Sequence, residues 1–120
     1  MDTSFGGGDG ITTTQFGTHD YFESLVIAGD GRILVGGWAY GFGTNADFLV
    51  ARFTTAGAID TAFGGGDGFS SADLGQHSMG TAGNDDKAYG IDISPVTGSV
   101  MLAGQHVKSG NKKQLSLIHI

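Results

Sequence analysis

The apolar residues of this chain come in short runs, each closed by glycine, aspartate or threonine. Ile11 to Phe16 is rich in β-branched residues and stops at Gly17, which predicts a short strand with an exposed threonine face. Leu25 to Ala28 runs into Gly29-Asp30-Gly31 and Arg32 to Trp38 leaves it, a pattern that predicts a β-hairpin. A glycine-rich loop from Gly41 to Asn45 leads to Asp47 to Phe53, apolar on both faces apart from Arg52, so this strand must be covered from two sides. Phe69 to Leu74 reads as a weaker strand. No window holds an i, i+3, i+4, i+7 apolar pattern free of glycine, so no amphipathic helix is expected.

The punctuation itself repeats. Phe5-Gly6-Gly7-Gly8-Asp9-Gly10 returns letter for letter 58 residues later as Phe63-Gly64-Gly65-Gly66-Asp67-Gly68. The match extends in register, with Asp2-Thr3 against Asp60-Thr61, Gly17 against Gly75 and His19 against His77. The hairpin returns too: Ile91 to Ser94 stands for Leu25 to Ala28, a Pro95-Val96-Thr97-Gly98 loop replaces the glycine-aspartate turn, and Ser99 to Gly104 stands for Arg32 to Gly37. There the spacing has grown to 67 residues, so nearly all the extra length lies in a polar insertion from Gly75 to Lys87. Insertions of this kind map to loops on one face of a repeat architecture. Gln114 to Ile120 keeps the register of Asp47 to Phe53; its last six residues, Leu115 to Ile120, are as compatible with a translated adapter tail as with the native strand. Met1 stands where the second copy has Ile59, as in a chain that begins in mid-repeat.

Composition narrows the classes. The 23 glycines among 120 residues must sit mainly in turns, because glycine inside a strand weakens it. With one proline and no Gly-X-Y period, neither a disordered linker nor collagen fits. Twelve acidic residues face six basic ones, for a net charge of −6, and eleven of the twelve are aspartates, with Glu23 the exception. Aspartate favours turns between strands. No Lys/Arg stripe could neutralise phosphates, so nucleic acid is not an expected partner. The absence of cysteine excludes a disulfide framework and thiolate metal sites. The longest apolar runs are four residues, against the ~20 a helical membrane span requires, so membrane insertion is not expected.

Each unit thus holds about four short strands and no helix. Strands apolar on both faces suit an architecture in which sheets stack face to face, as propeller blades do. The expectation is an all-β, partial β-propeller: an outer strand of a preceding blade in residues 1–20, one complete four-stranded antiparallel blade over 21–74, the inserted loop 75–87, and an incomplete, truncated following blade over 88–120. Ile33 to Gly37 resembles a kelch strand ending in Gly-Gly, but a kelch unit does not account for Phe5 to Gly10.

The order Asp2 to Gly10, Gly29 to Gly37, Asp47 to Asp60, then Asp60 to Gly68 restarting the cycle, resembles the delta-60 repeat, a tandem unit of bacterial β-propeller domains of unknown function. The resemblance is specific through Leu74 and weaker beyond it, where Gly29-Asp30-Gly31-Arg32 becomes Val96-Thr97-Gly98-Ser99. It implies a large secreted or cell-surface bacterial protein with many repeats; the expected partners are further repeats of the same parent chain, with carbohydrate or protein at the cell surface as candidate ligands. It brings no catalytic residues.

Candidate chemistry is sparse. Asp9 and Asp67 in the repeated turn, and Asp85 and Asp86 in the insertion, offer oxygen donors suited to calcium. Against that, the turn recurs every 58 residues and not every nine, and Asp30 lacks an EF-hand's preceding acids, so Asp9 and Asp67 also read as turn formers. His19 and His77 have no partner at metal-ligand spacing and read as turn caps. Trp38, Tyr40 and Phe42 alternate at a strand end and could stack on a sugar or peptide, or pack between blades. No Gly-x-Ser-x-Gly elbow, phosphate loop or sialidase-type aspartate box is present. A non-catalytic structural or binding module is the leading expectation, with a carbohydrate-acting propeller enzyme or a calcium-binding repeat as alternatives.

Overall fold

The computed structural model describes residues 1–42, 45–74, 85–108 and 112–120. Among these, seven strands and no helix form: β1 His19–Ile27, β2 Ile33–Tyr40, β3 Ala46–Phe53, β4 Phe69–Ala72, β5 Lys87–Ile93, β6 Val100–Lys108 and β7 Lys112–His119. The first four make one antiparallel sheet in chain order, and the last three make a second. Neither sheet closes on itself. The architecture is all-β, two open antiparallel sheets packed face to face, as expected for a propeller fragment.

Both hairpins follow from their turn residues. Ala28 N–H donates to Arg32 O at 2.8 Å and Gly31 N–H to Ala28 O at 2.9 Å, with Gly31 at φ 83°. This is a three-residue loop that needs a left-handed residue at its third position, which glycine supplies without strain. The second hairpin closes a four-residue loop through Ser94 N–H to Ser99 O at 2.9 Å, with Gly98 at φ 70° in the same role.

A bulge fixes the glycine opposite it. The β1–β2 register shifts between Phe22 and Ser24, and a Cβ on Gly37 would lie 1.8 Å from Tyr21 O. The β5–β6 register shifts in the same way between Ala88 and Gly90, and a Cβ on Gly104 would lie 2.1 Å from Lys87 O. Gly37 and Gly104 are repeat partners, so each copy admits the bulged carbonyl only because its partner strand has no side chain there.

The shared core comprises Leu34, Phe48 and Val50 of the first sheet with Ala88, Val100 and Leu102 of the second. The two sheets meet through opposite faces. The repeat partners of Leu34, Phe48 and Val50 are Met101, Leu115 and Leu117, and these alternate away from Val100 and Leu102 along β6 and β7, onto the far side of the second sheet. Conversely, Ile33 and Val35, partners of Val100 and Leu102, lie on the far side of the first sheet.

The segment Ile11–Phe16, expected as a strand, forms none. Its counterpart β4 is held by the ladder to β3, whereas no described strand pairs with residues 11–16. Ile11 to Gln15 are exposed, Thr12 Oγ1 donates to Gly57 O at 2.8 Å, and the Phe16 and Gly17 N–H groups donate to the Asp20 carboxylate at 2.7 and 2.8 Å, turning the chain into β1. His19 is the first residue of β1 and not a turn cap. Of the insertion at 75–87, residues 75–84, including His77, lie outside the described residues.

Candidate functional site

The repeated glycine-aspartate turn has the same hydrogen bonds in both copies. Gly8 and Gly10 N–H donate to Phe5 O at 3.1 and 3.0 Å, and Gly66 and Gly68 N–H donate to Phe63 O at 3.2 and 3.0 Å. Asp9 Oδ1 accepts Ile11 N–H at 3.0 Å, and Asp67 Oδ1 accepts Phe69 N–H at 3.4 Å. Gly6 and Gly64 stand at φ 64° and 68°, and a Cβ on either would lie within 2 Å of a backbone oxygen, that of Ile11 at 1.9 Å or Phe69 at 1.6 Å. The second turn is tied to the sheet through Asp60, whose Oδ2 accepts Arg52 Nε at 2.7 Å and pairs with Arg32 Nε at 3.3 Å, while Arg52 lies 4.8 Å over the Phe63 ring. Burial pushes the Asp60 carboxyl up, but the Ala62 N–H and the two guanidinium groups outweigh it and hold it below the usual carboxylate range.

Trp38, Tyr40 and Phe42 do not share one surface. Trp38 is 9% exposed, stacked on Tyr21 at 5.2 Å and 16° and met edge-on by Tyr89 at 5.7 Å. Lys87 Nζ lies 5.4 Å over its ring. Tyr40 meets the same Tyr21 edge-on at 6.4 Å and donates its hydroxyl to Asp85 Oδ2 at 3.1 Å. Phe42 belongs to another cluster, stacked on Phe69 at 5.8 Å, which in turn lies 4.9 Å from Phe16.

Asp85 ties the end of the insertion to the first sheet. Its carboxylate accepts the Tyr40 hydroxyl, Ala46 N–H at 3.4 Å and Lys87 Nζ at 3.0 Å. Burial pushes Asp85 up, yet Lys87 chiefly holds it below its ordinary value; burial pulls Lys87 down, yet Asp85 holds it above its own. Burial, reinforced by Asp85, raises Tyr40.

Asp86 points elsewhere. Fully buried, it accepts Leu74 N–H at 2.7 Å through Oδ2, and its own N–H donates to Ala46 O at 2.7 Å. One carboxylate oxygen from each of Asp86, Asp47 and Asp73 lies within 4.8 Å of the other two. Asp47 is 4% exposed and Asp73 is exposed. Oxygens grouped in this way are donors of the type that hard cations take. Of the four aspartates singled out in the sequence, one joins this group; Asp9 and Asp67 sit in their turns and Asp85 binds Tyr40 and Lys87. Asp47 and Asp73 were legible only as exceptions to the repeat, since their partners in the other copies are Gln114 and Gln15.

The sequence model of a domain of unknown function (DUF5122) beta-propeller matches residues 28–63, from the end of β1 into the second glycine-aspartate turn. No curated protein and no solved structure matches the chain.

Proposed function

We propose that the chain is a non-catalytic structural or binding module of a larger, extracellular bacterial β-propeller of the delta-60 type. One observation carries this reading: the two sheets pack through opposite faces of the same repeat, Leu34, Phe48 and Val50 on one side and Val100 and Leu102 on the other. A unit with two different sticky faces is built to be stacked, and its stability is then the sum of its own terms and those of its neighbours. The bulges, the two-glycine strand and the repeated turn all serve backbone geometry. Loops at the sheet ends are left to meet carbohydrate or protein at the cell surface. For the calcium-binding alternative, the carboxylate oxygens of Asp47, Asp73 and Asp86 are the group that would supply donors.

The test is a tandem fusion. Ile120 is the repeat partner of Phe53 and Met1 that of Ile59, so a copy of Thr54 to Ala58 placed between two chains keeps the repeat in phase. The fused pair is expected to melt in one transition at a higher temperature than the single chain. Equal melting temperatures for both would overturn the reading.

A further inference from the structure

The far side of the second sheet is open. Leu115 is 88% and Leu117 66% exposed, while their repeat partners Phe48 and Val50 are 1% and 0% exposed in the interface between the sheets. Met101, Ala103 and Leu117 line a cavity of about 460 Å³ on this face, with Pro95 of the hairpin loop also at its wall. Met101 and Ala103 are the partners of Leu34 and Gly36. The open face therefore carries, position for position, apolar repeat partners of the residues by which the first sheet holds the second.

At the other end, the far side of the first sheet carries the partners of what is held. Leu25, Ile27, Ile33 and Val35 correspond to Ile91, Ile93, Val100 and Leu102, with Leu25 58% and Ile27 64% exposed. Thr12, Thr13 and Thr14 line a cavity of about 330 Å³ with Leu25, Ile33 and Val35.

A strand is also displaced. β4 pairs with β3 as the fourth strand of the first sheet, but the second sheet ends at β7, the partner of β3. The partner of β4 is Ile11–Thr14, exposed and outside any sheet. Within one chain this segment lies against the first sheet, on the side away from the second.

Taken together, these three observations specify one occupant. We propose that the open face of the second sheet is a docking surface for a second copy of this chain. The incoming copy lays the Leu25–Val35 face of its first sheet on Met101, Ala103, Leu115 and Leu117, and its Ile11–Thr14 adds to the free edge of β7. By analogy with Phe69 opposite Ala51 and Ala72 opposite Phe48, Ile11 pairs with Ile118 and Thr14 with Leu115. The contact is heterologous: each copy gives one face and receives on the other, so the interface propagates from copy to copy, into a ring where the rotation closes and into an open filament where it does not. The inference rests on the stacked-module reading above, but it adds that separate chains find one another.

The experiment is complementation of two defective variants of the full chain, followed by sedimentation velocity across a concentration series. Leu115→Lys with Leu117→Lys blocks the receiving face at exposed positions; Thr14→Pro with Leu25→Lys blocks the giving face and its strand. The parent chain is expected to gain mass with concentration, each double variant to stay at monomer mass, and an equimolar mixture to form a complex of two chains and no more. A parent that stays monomeric, double variants that still assemble, or a mixture that fails to pair would each overturn the proposal. A second measurement does not depend on how the double variants fold. Single-cysteine chains Thr13→Cys and Ser116→Cys, mixed under mild oxidation, should cross-link to each other far more than to themselves, since these residues become directly opposed. Equal self- and cross-linking would exclude the register. A gain in melting temperature for the tandem fusion without association of free chains would leave the module reading standing and remove this one.

Discussion

Gly36 faces Leu102 across the interface between the sheets so closely that a Cβ on the glycine would lie 2.7 Å from Leu102 Cδ2 and 3.1 Å from Ile91 Cβ. The glycine is there for distance and not for its backbone angle. A Gly36→Val variant is expected to lose about 1–3 kcal/mol in denaturant unfolding, the usual cost of overfilling a packed core. Its repeat partner Ala103 lies on the open face, and Ala103→Val should leave the unfolding of the isolated chain nearly unchanged.

The repeated turn separates two glycines that look alike in the sequence. Gly65 stands at φ 89° with open space where a Cβ would go, so Gly65→Ala should cost only the left-handed strain of about 1–2 kcal/mol. At Gly64 a Cβ would meet the Phe69 carbonyl at 1.6 Å, and the backbone itself must move. Gly64→Ala is expected to be the more damaging of the pair in thermal melts, and the same order should hold for Gly6 against Gly7. Equal costs would mean that the turn is not held as described.

Trp38 is a packing residue between Tyr21, Tyr89 and Lys87. Trp38→Ala should destabilise by about 3–5 kcal/mol, as large buried aromatics do. Since it is the only tryptophan, its emission should shift to the red in the same transition that melts the sheets.

Acid should act through Asp60. Its carboxyl titrates below the ordinary range in the folded chain, so the stability it lends is full above that range and is lost as the pH falls through the lowered folded value. Asp60→Asn should therefore be less stable than the parent at neutral pH, with the gap closing as both are acidified. Urea midpoints measured from neutral to strongly acidic pH would show this; a gap that stays constant would mean that the ion pairs with Arg52 and Arg32 contribute nothing.

How far the fold could be read depended on how local its causes are. The hairpins were legible because Gly31 and Gly98 are needed within a few residues of the strands they join. The second sheet followed from the first by repetition, including the register of β7. Ile11–Phe16 forms no strand although its β-branched residues announce one, because a strand exists only where a neighbour supplies the ladder. The site was harder still. Trp38 owes its burial to Tyr21 through strand pairing and to Tyr89 from the other sheet, and neither contact has a sequence spacing of its own. Asp86 belongs to a polar insertion in the sequence, yet it is fully buried and meets Asp47 and Asp73 from two other parts of the chain.

The opposite-face packing also bears on how such a chain can lengthen. Alternate residues of each strand lie on different faces: Leu34 and Gly36 meet the second sheet, while Ile33 and Val35 lie on the far side of the first, the face that the proposed stacking would use. A duplicated unit consequently arrives with both halves of its contact already written into it. Genetic slippage within the repeat could then add or remove a whole unit, with adjustment confined to positions such as Gly36, whose partner is Ala103.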